Sequence, residues 1–347
     1  MNNLSTKLKT AIESPMLPEV RRASGVHPSS ASVELSPNPE GRKIAGACLR
    51  QQYYRATGEP VSNKTNIDVK ISSMIGDQIT EMVSDILDTY GFQCGLQRIA
   101  AEHSFYVPEI GLSGRCDFLG YDHNTKEYIG IEVKSVGEWK ASKCIEKPAE
   151  EHVMQSLIYL DHYAKQYPHL NIKKWYILYI SRTENYAIKS KKHGSPMAMI
   201  WDSYVTIDDK DKCAVVHYKF TSEKWKDFTI ENIYKRYKSL NAHLENKVIP
   251  DRDYALQYNE TRITGMHAAK QLTRKVDIEK VDKWLAKGAI PGKLKVEIGD
   301  GECGFCAYKA TCWPGDVASD VETPKQLLDN IIITPLKKDT NDTQAWF

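Results

Sequence analysis

The chain of 347 residues contains no run of about 18 apolar residues, so no membrane-spanning helix is expected. Its N-terminus lacks the apolar stretch of a secretory signal, and a cytoplasmic protein is the default expectation. Charge of neither sign dominates: Lys and Arg number 47 against 45 Asp and Glu, so any basic surface has to be local. There is no G-x-x-x-x-G-K-[ST], which removes a nucleotide-driven motor of the P-loop type, and there is no internal repeat. What is present is enough apolar sequence, 41%, for a sizeable core in one large domain with additions, or in two. Eight cysteines are present as well, at positions 48, 94, 116, 144, 213, 303, 306 and 312, and three of them fall within ten residues. In a reducing compartment that crowding points to metal or redox chemistry before disulfides.

Residues 1–40 give a short helix-like start and then Pro- and Ser-rich sequence without periodicity, read as a flexible arm outside the core. Apolar residues recur at helical spacing from Lys43 to Gly58 and from Asn66 to Tyr90, closed by Gly91. The period then changes to two. Arg98 to Val107, Leu112 to Tyr121 and Glu127 to Val136 are expected strands, the last two joined by the polar turn D-H-N-T-K into an antiparallel hairpin. Helical spacing returns from Pro148 to Tyr167, and Trp175 to Ser181 is another apolar strand. Further strands are expected over Met199 to Ile207 and Ala214 to Phe220, and helices over 222–246 and 276–287. Helix, three strands, helix, strand describes an α/β arrangement with a mixed sheet. Residues 301–315 form a compact Cys-rich loop, and 316–347 a polar tail with an aromatic tip.

The segment G-I-E-V-K-S-V, residues 130–136, sets a glutamate and a lysine inside an otherwise buried strand. Residues two apart on a strand share a face, so Glu132 and Lys134 point together while Ile131 and Val133 point the other way. The hairpin partner brings Asp117, in C-D-F-L-G, toward the same strand end. Two carboxylates crowded together repel unless a hard cation such as Mg²⁺ or Mn²⁺ lies between them. An ammonium next to that cation suits a water to be activated and a phosphate that gains charge. The plainer alternative is a buried ion pair that ties the sheet together. On the following helix, E-E-H-V-M-Q-S-L-I-Y puts Gln155 and Tyr159 one turn apart on one face; standing by themselves they would be a solvated glutamine and a core tyrosine.

In these residues the chain resembles the RecB-like branch of the PD-(D/E)XK nuclease superfamily, whose motifs are an Asp at one strand end, E-x-K on the next strand and Q-x-x-x-Y on the helix after it. The resemblance covers about residues 42–183 together with 303–312. It implies a restriction-endonuclease-like fold, a mixed β-sheet flanked by helices, in a nuclease domain over 41–315 with a core at 42–183, additional elements at 184–300 and a C-terminal Cys-rich metal-cluster loop at 301–315. By it, Asp117, Glu132, Lys134, Gln155 and Tyr159 are the catalytic set. Asp117, Glu132 and the Val133 carbonyl would be ligands of Mg²⁺ or Mn²⁺, Lys134 would activate water, and Gln155 and Tyr159 would orient the site and the DNA strand. The family's first helix usually offers a histidine ligand four residues after a glycine. Here G-D-Q-I-T-E has Thr80 in that place and then Glu81, which would take over as ligand or is an ordinary helix glutamate.

Cys303, Cys306 and Cys312 stand at C-x2-C-x5-C spacing, and Cys48 is the natural fourth ligand. One cysteine before the core and three after it resembles the iron-sulfur members of the family, including CRISPR-associated exonucleases and the nuclease domain of AddAB, and implies a [4Fe-4S] cluster. Four thiolates suit Zn²⁺ equally on chemical grounds. Either metal would close a loop of about 255 residues and staple the two ends of the core. Cys94, Cys116, Cys144 and Cys213 read as ordinary core or surface residues.

Lys173, Lys174, Arg182, Lys189, Lys191 and Lys192 with Tyr176, Tyr179 and Tyr186, and the stretch Arg50, Tyr53, Tyr54, Arg55, suit a DNA strand or a solvated basic face. The expectation for function is a metal-dependent DNA exonuclease that hydrolyses phosphodiester bonds at ends or in single strands without ATP, in recombination, repair or replication. Its rivals are a site-specific endonuclease on the same fold, a non-cleaving DNA-end-binding protein, and an RNA-directed nuclease. The tail D-T-N-D-T-Q-A-W-F reads as a disordered end whose aromatic tip could dock on a recombination or replication protein.

Overall fold

The computed structural model describes residues 26–37, 42–63, 67–182, 199–258, 260–272, 274–287 and 298–314. A seven-stranded sheet organises them, with strands in spatial order β3 (Leu96–Val107), β4 (Leu112–Asp122), β5 (Glu127–Val136), β6 (Trp175–Ser181), β7 (Ile200–Ile207), β8 (Cys213–Tyr218) and β9 (Thr221–Thr229). All neighbours are antiparallel except β5 and β6, which run parallel because a helical crossover joins them. That crossover contains α3 (Glu138–Cys144) and α4 (Glu150–Gln166). The fold is therefore the mixed sheet flanked by helices that the motif order implies.

Each face of the sheet has its own core. On one, Ile129, Ile131 and Val133 of β5 and Leu178 and Ile180 of β6 pack with Val83, Ile86 and Leu87 of α2 (Ile67–Tyr90). On the other, Ile177 and Tyr179 of β6 pack with Val153, Leu157, Tyr159 and Tyr163 of α4. Helix α4 is almost wholly covered, which is why its sequence is apolar on more than one side. Close approach matters at Gly130, where a Cβ would stand 2.1 Å from the Trp175 ring, so only glycine leaves room for Trp175, whose ring lies tilted against Tyr159 with centroids 4.8 Å apart.

Three expectations are corrected. Residues 26–37 belong to the core: Ala31 and Val33 are fully buried, and β1 (Ser32–Glu34) pairs with β2 (Ile44–Gly46). Residues 44–46 are thus strand rather than the start of a helix, and α1 covers only Leu49–Ala56. Residues 221–229 are strand β9, and helix α5 begins at Ile230 and ends at Glu245. The expected helix at 276–287 forms as Lys275–Ala286 and packs with a helix at Glu260–Ala268 as a satellite core around Ile263, Val281 and Ile298. Residues 1–25 of the arm, 183–198 of the basic stretch and the tail from 315 lie outside the described residues. Among the described residues no helix is long and apolar enough to cross a membrane.

Candidate functional site

Strand β5 is covered on both faces at Glu132 and Lys134, so these two charged residues need partners within the fold. Glu132 is 3% exposed. Its Oε1 accepts from Lys134 Nζ at 2.5 Å and from Gln155 Nε2 at 2.8 Å. Gln155 is the hub: its carbonyl oxygen accepts from Lys134 Nζ at 2.9 Å, and its amide also donates to Tyr159 Oη at 2.7 Å. Tyr159 donates onward to the Arg115 carbonyl at 3.0 Å, which ties α4 to β4 just before Asp117. The i, i+4 spacing on α4 therefore spans from the E-x-K strand to the aspartate strand.

Asp117 meets the group from β4. Phe118 pairs with Ile131, and one step further Asp117 comes beside Glu132 while its Oδ2 accepts the Val133 N–H at 2.7 Å. Val133 thus meets the pair through its amide. Burial, with the Glu132 charge adding to it, pushes the Asp117 carboxyl from 3.8 up to about 7. For Lys134, burial works to lower the proton affinity, but the Glu132 and Asp117 carboxylates outweigh it, and the ammonium is held above the ordinary lysine value. Burial and then the same two carboxylates push the Tyr159 phenol well up, so it acts as a neutral donor.

One atom is left over. Glu132 Oε2 is buried and has no hydrogen-bond partner. Buried carboxylate oxygens are normally satisfied, so an orphan beside a second carboxylate has the chemistry of a cation ligand. On that criterion Asp117 and Glu132 fit a hard divalent ion. Glu81 does not join them: its Oε2 accepts from Gln78 Nε2 at 2.7 Å on its own helix, while Thr80 bonds back to the Gly76 carbonyl. Among the described residues no group of three His, Cys, Asp or Glu side chains stands close enough to hold a metal ion as it is.

Cys48, Cys303, Cys306 and Cys312 line one cavity, with Arg50, Tyr54, Tyr254 and Trp313 among the other walls. Gly46 makes this possible. Its φ of 93° turns the chain out of β2, and a Cβ there would meet the Ala31 carbonyl at 2.2 Å, so Cys48 is delivered to the start of α1. The C-terminal loop is fixed by Ser62 and Asn63 N–H donating to the Ala307 carbonyl at 3.0 and 2.9 Å, and by Tyr308 packed on Tyr54. Burial pushes the Cys48 thiol up to about 11 and Cys303 up to about 12, and it raises Cys306. Sharing one cavity is as far as the four cysteines come together, for among the described residues no three of them stand as a ready metal group. Cys116, Cys144 and Cys213 are buried apart from this cavity.

Sequence reasoning missed a second polar group next to Lys134. The parallel register sets Tyr179 of β6 opposite Lys134. Tyr179 Oη lies 2.9 Å from His152 Nδ1, and His152 Nε2 lies 3.3 Å from Lys140 Nζ, which also donates to Glu151 at 2.7 Å. His152 precedes Gln155 by three residues, so helical spacing was a signal for it; Lys140 had none, and Tyr179, expected on a DNA-facing or solvated stretch, is fully buried instead. Of the basic stretch, Lys174 is paired with Glu127 and Arg182 donates to the Ser72 carbonyl.

No family model matches the chain, and no curated protein matches it. Among solved structures, an alkaline exonuclease (LHK-Exo) from Laribacter hongkongensis is similar at 14% identity, over 58% of this chain and 69% of that one, with a TM-score of 0.29. A likeness of that size carries no statement about chemistry.

Proposed function

We propose that the chain is a metal-dependent DNA nuclease that hydrolyses phosphodiester bonds, an exonuclease acting on ends or single strands in recombination, repair or replication. The observation that supports it is the unpartnered, buried Glu132 Oε2 beside Asp117, with the Lys134 ammonium in hydrogen-bond contact. Asp117 and Glu132, with the Val133 carbonyl, would hold Mg²⁺ or Mn²⁺, which when bound supplies Lewis acidity toward phosphate oxygens and water. The residues do the rest. Lys134, kept cationic by its carboxylate neighbours, faces charge that grows on the phosphate. Gln155 fixes Lys134 and Glu132 in one orientation, and Tyr159 fixes Gln155. Cys48, Cys303, Cys306 and Cys312 would hold a [4Fe-4S] cluster, or Zn²⁺, as a staple between α1 and the C-terminal loop.

The test is end-labelled linear DNA with and without Mn²⁺ or Mg²⁺, beside a Lys134→Ala variant. Shortening that needs the metal and is lost in the variant is expected; degradation by both proteins alike would defeat the reading. Cutting of a closed circle would favour the endonuclease. A second reading, a DNA-end-binding protein that does not cleave, is favoured by Glu81 staying bonded on its own helix. Tight binding with no metal-dependent shortening would establish it.

A further inference from the structure

The carboxyl ends of β5 and β6, which run parallel, carry Lys134 and Tyr179 side by side. Ligands of open α/β sheets gather off such ends. Helix α3 leaves from this edge through Gly137, and its Lys140 is drawn back over it by two contacts, Glu151 Oε1 at 2.7 Å and His152 Nε2 at 3.3 Å. An ammonium has three N–H donors, and the third has no partner among the described residues. Lys140 and Glu151 are 39% and 41% exposed, so as an ion pair they contribute little.

The histidine is what a surface ion pair does not explain. His152 is 6% exposed, on the first turn of α4, with its other nitrogen on Tyr179 Oη. Tyr179 Oη in turn accepts the Ala149 N–H at 3.2 Å. Burial, then Lys134 and Lys140, hold His152 well below the usual histidine range, so it is neutral and accepts from Lys140. The ammonium is thus held from one side by a buried side chain whose own position is fixed by Tyr179, and from the other by Glu151.

We propose that Lys140 is a second phosphate-binding cation of this site, contacting the nucleic-acid backbone next to the scissile phosphate, with His152 and Glu151 as its positioning residues. The proposal rests on the nuclease reading and adds a subsite to it. Lys140 offers its free N–H to the backbone, and Glu151 and His152 hold the ammonium so that it is already in place when the strand arrives.

The experiment is equilibrium binding of a labelled single-stranded oligonucleotide, in EDTA, by proteins that all carry Lys134→Ala, over about 50 to 200 mM salt. Lys140→Gln is expected to reduce the slope of log K against log salt by about 0.7, the value of one single-strand phosphate contact. Lys143→Gln removes the same charge from the same helix, where Lys143 lies over the Trp139 ring at 3.8 Å, and is expected to leave the slope unchanged. An unchanged slope for Lys140→Gln, or an equal drop for Lys143→Gln, would overturn the proposal. His152→Asn is expected to weaken binding only while Lys140 is present; the same loss in the Lys140→Gln background would make His152 merely structural and refute its positioning role. If no oligonucleotide binds at any salt, the nuclease reading itself fails and this subsite with it, whereas binding with an unaltered slope removes the subsite alone.

Discussion

Asp117→Asn is expected to stabilise the metal-free protein at alkaline pH while abolishing cleavage. Burial and the Glu132 charge move the Asp117 carboxyl from 3.8 to about 7 in the fold. The folded state therefore holds that proton more tightly than the unfolded chain does. The stability this contributes is fully present below pH 3.8 and is lost as pH rises through about 7. At about 1.36 kcal/mol per pH unit, the wild type loses up to about 3 kcal/mol between pH 5 and pH 8 that the amide variant keeps. The amide is nearly isosteric and its oxygen can still accept the Val133 N–H, so its own cost is the same at both pH values and cancels in the difference. Urea unfolding of both proteins in EDTA at the two pH values reads this directly. A difference between variant and wild type that does not change with pH, or that grows in the wild type's favour, would refute the assignment of Asp117 as a strained carboxylate. Added Mg²⁺ or Mn²⁺ is expected to stabilise the wild type at pH 8 and not the variant.

Gln155→Leu leaves Glu132, Lys134 and Tyr159 each short of a buried partner, and a loss of about 3 kcal/mol in urea unfolding is expected together with loss of cleavage. Gly130→Ala drives a methyl into the Trp175 ring and should cost about 3 kcal/mol, visible as altered near-ultraviolet dichroism of the Trp175 and Tyr159 pair. Cys48→Ser is expected to lower the iron or zinc bound per chain, by elemental analysis, and to loosen the C-terminal loop to proteolysis; metal content equal to wild type would remove Cys48 from the ligand set.

Much of the sheet could be read in advance because its central strands carry strong local signals. The runs at 127–136 and 175–181 appear as strands with the expected bounds, since both are bounded by polar turns and rich in β-branched and aromatic residues. Strand β9 was hidden by its own irregularity. Trp225 and Phe228 are buried three residues apart, which imitates a helix. The ladder allows it through a register shift, in which Ala214 pairs with Trp225 while Cys213 pairs with Thr229. Strands β1 and β2 are three residues each, too short to show a period, and Pro- and Ser-rich sequence around Ala31 and Val33 gave no hint that both are sealed in the core.

The sequence by itself determined the order of α2, β3, β4, β5, α4 and β6, the identities and spacing of Asp117, Glu132, Lys134, Gln155 and Tyr159, and the two-part arrangement of four cysteines, because these depend on residue type and local period. Only the tertiary structure decided that Glu132 keeps an unpartnered buried oxygen, that burial and Glu132 push the Asp117 carboxyl up to about 7, that Glu81 stays on its own helix, and that His152, bonded to Tyr179, meets Lys140. Those properties arise from burial and from pairings between distant segments, and a one-residue change of strand register would send Asp117, Glu132 or Tyr179 to the other face of the sheet.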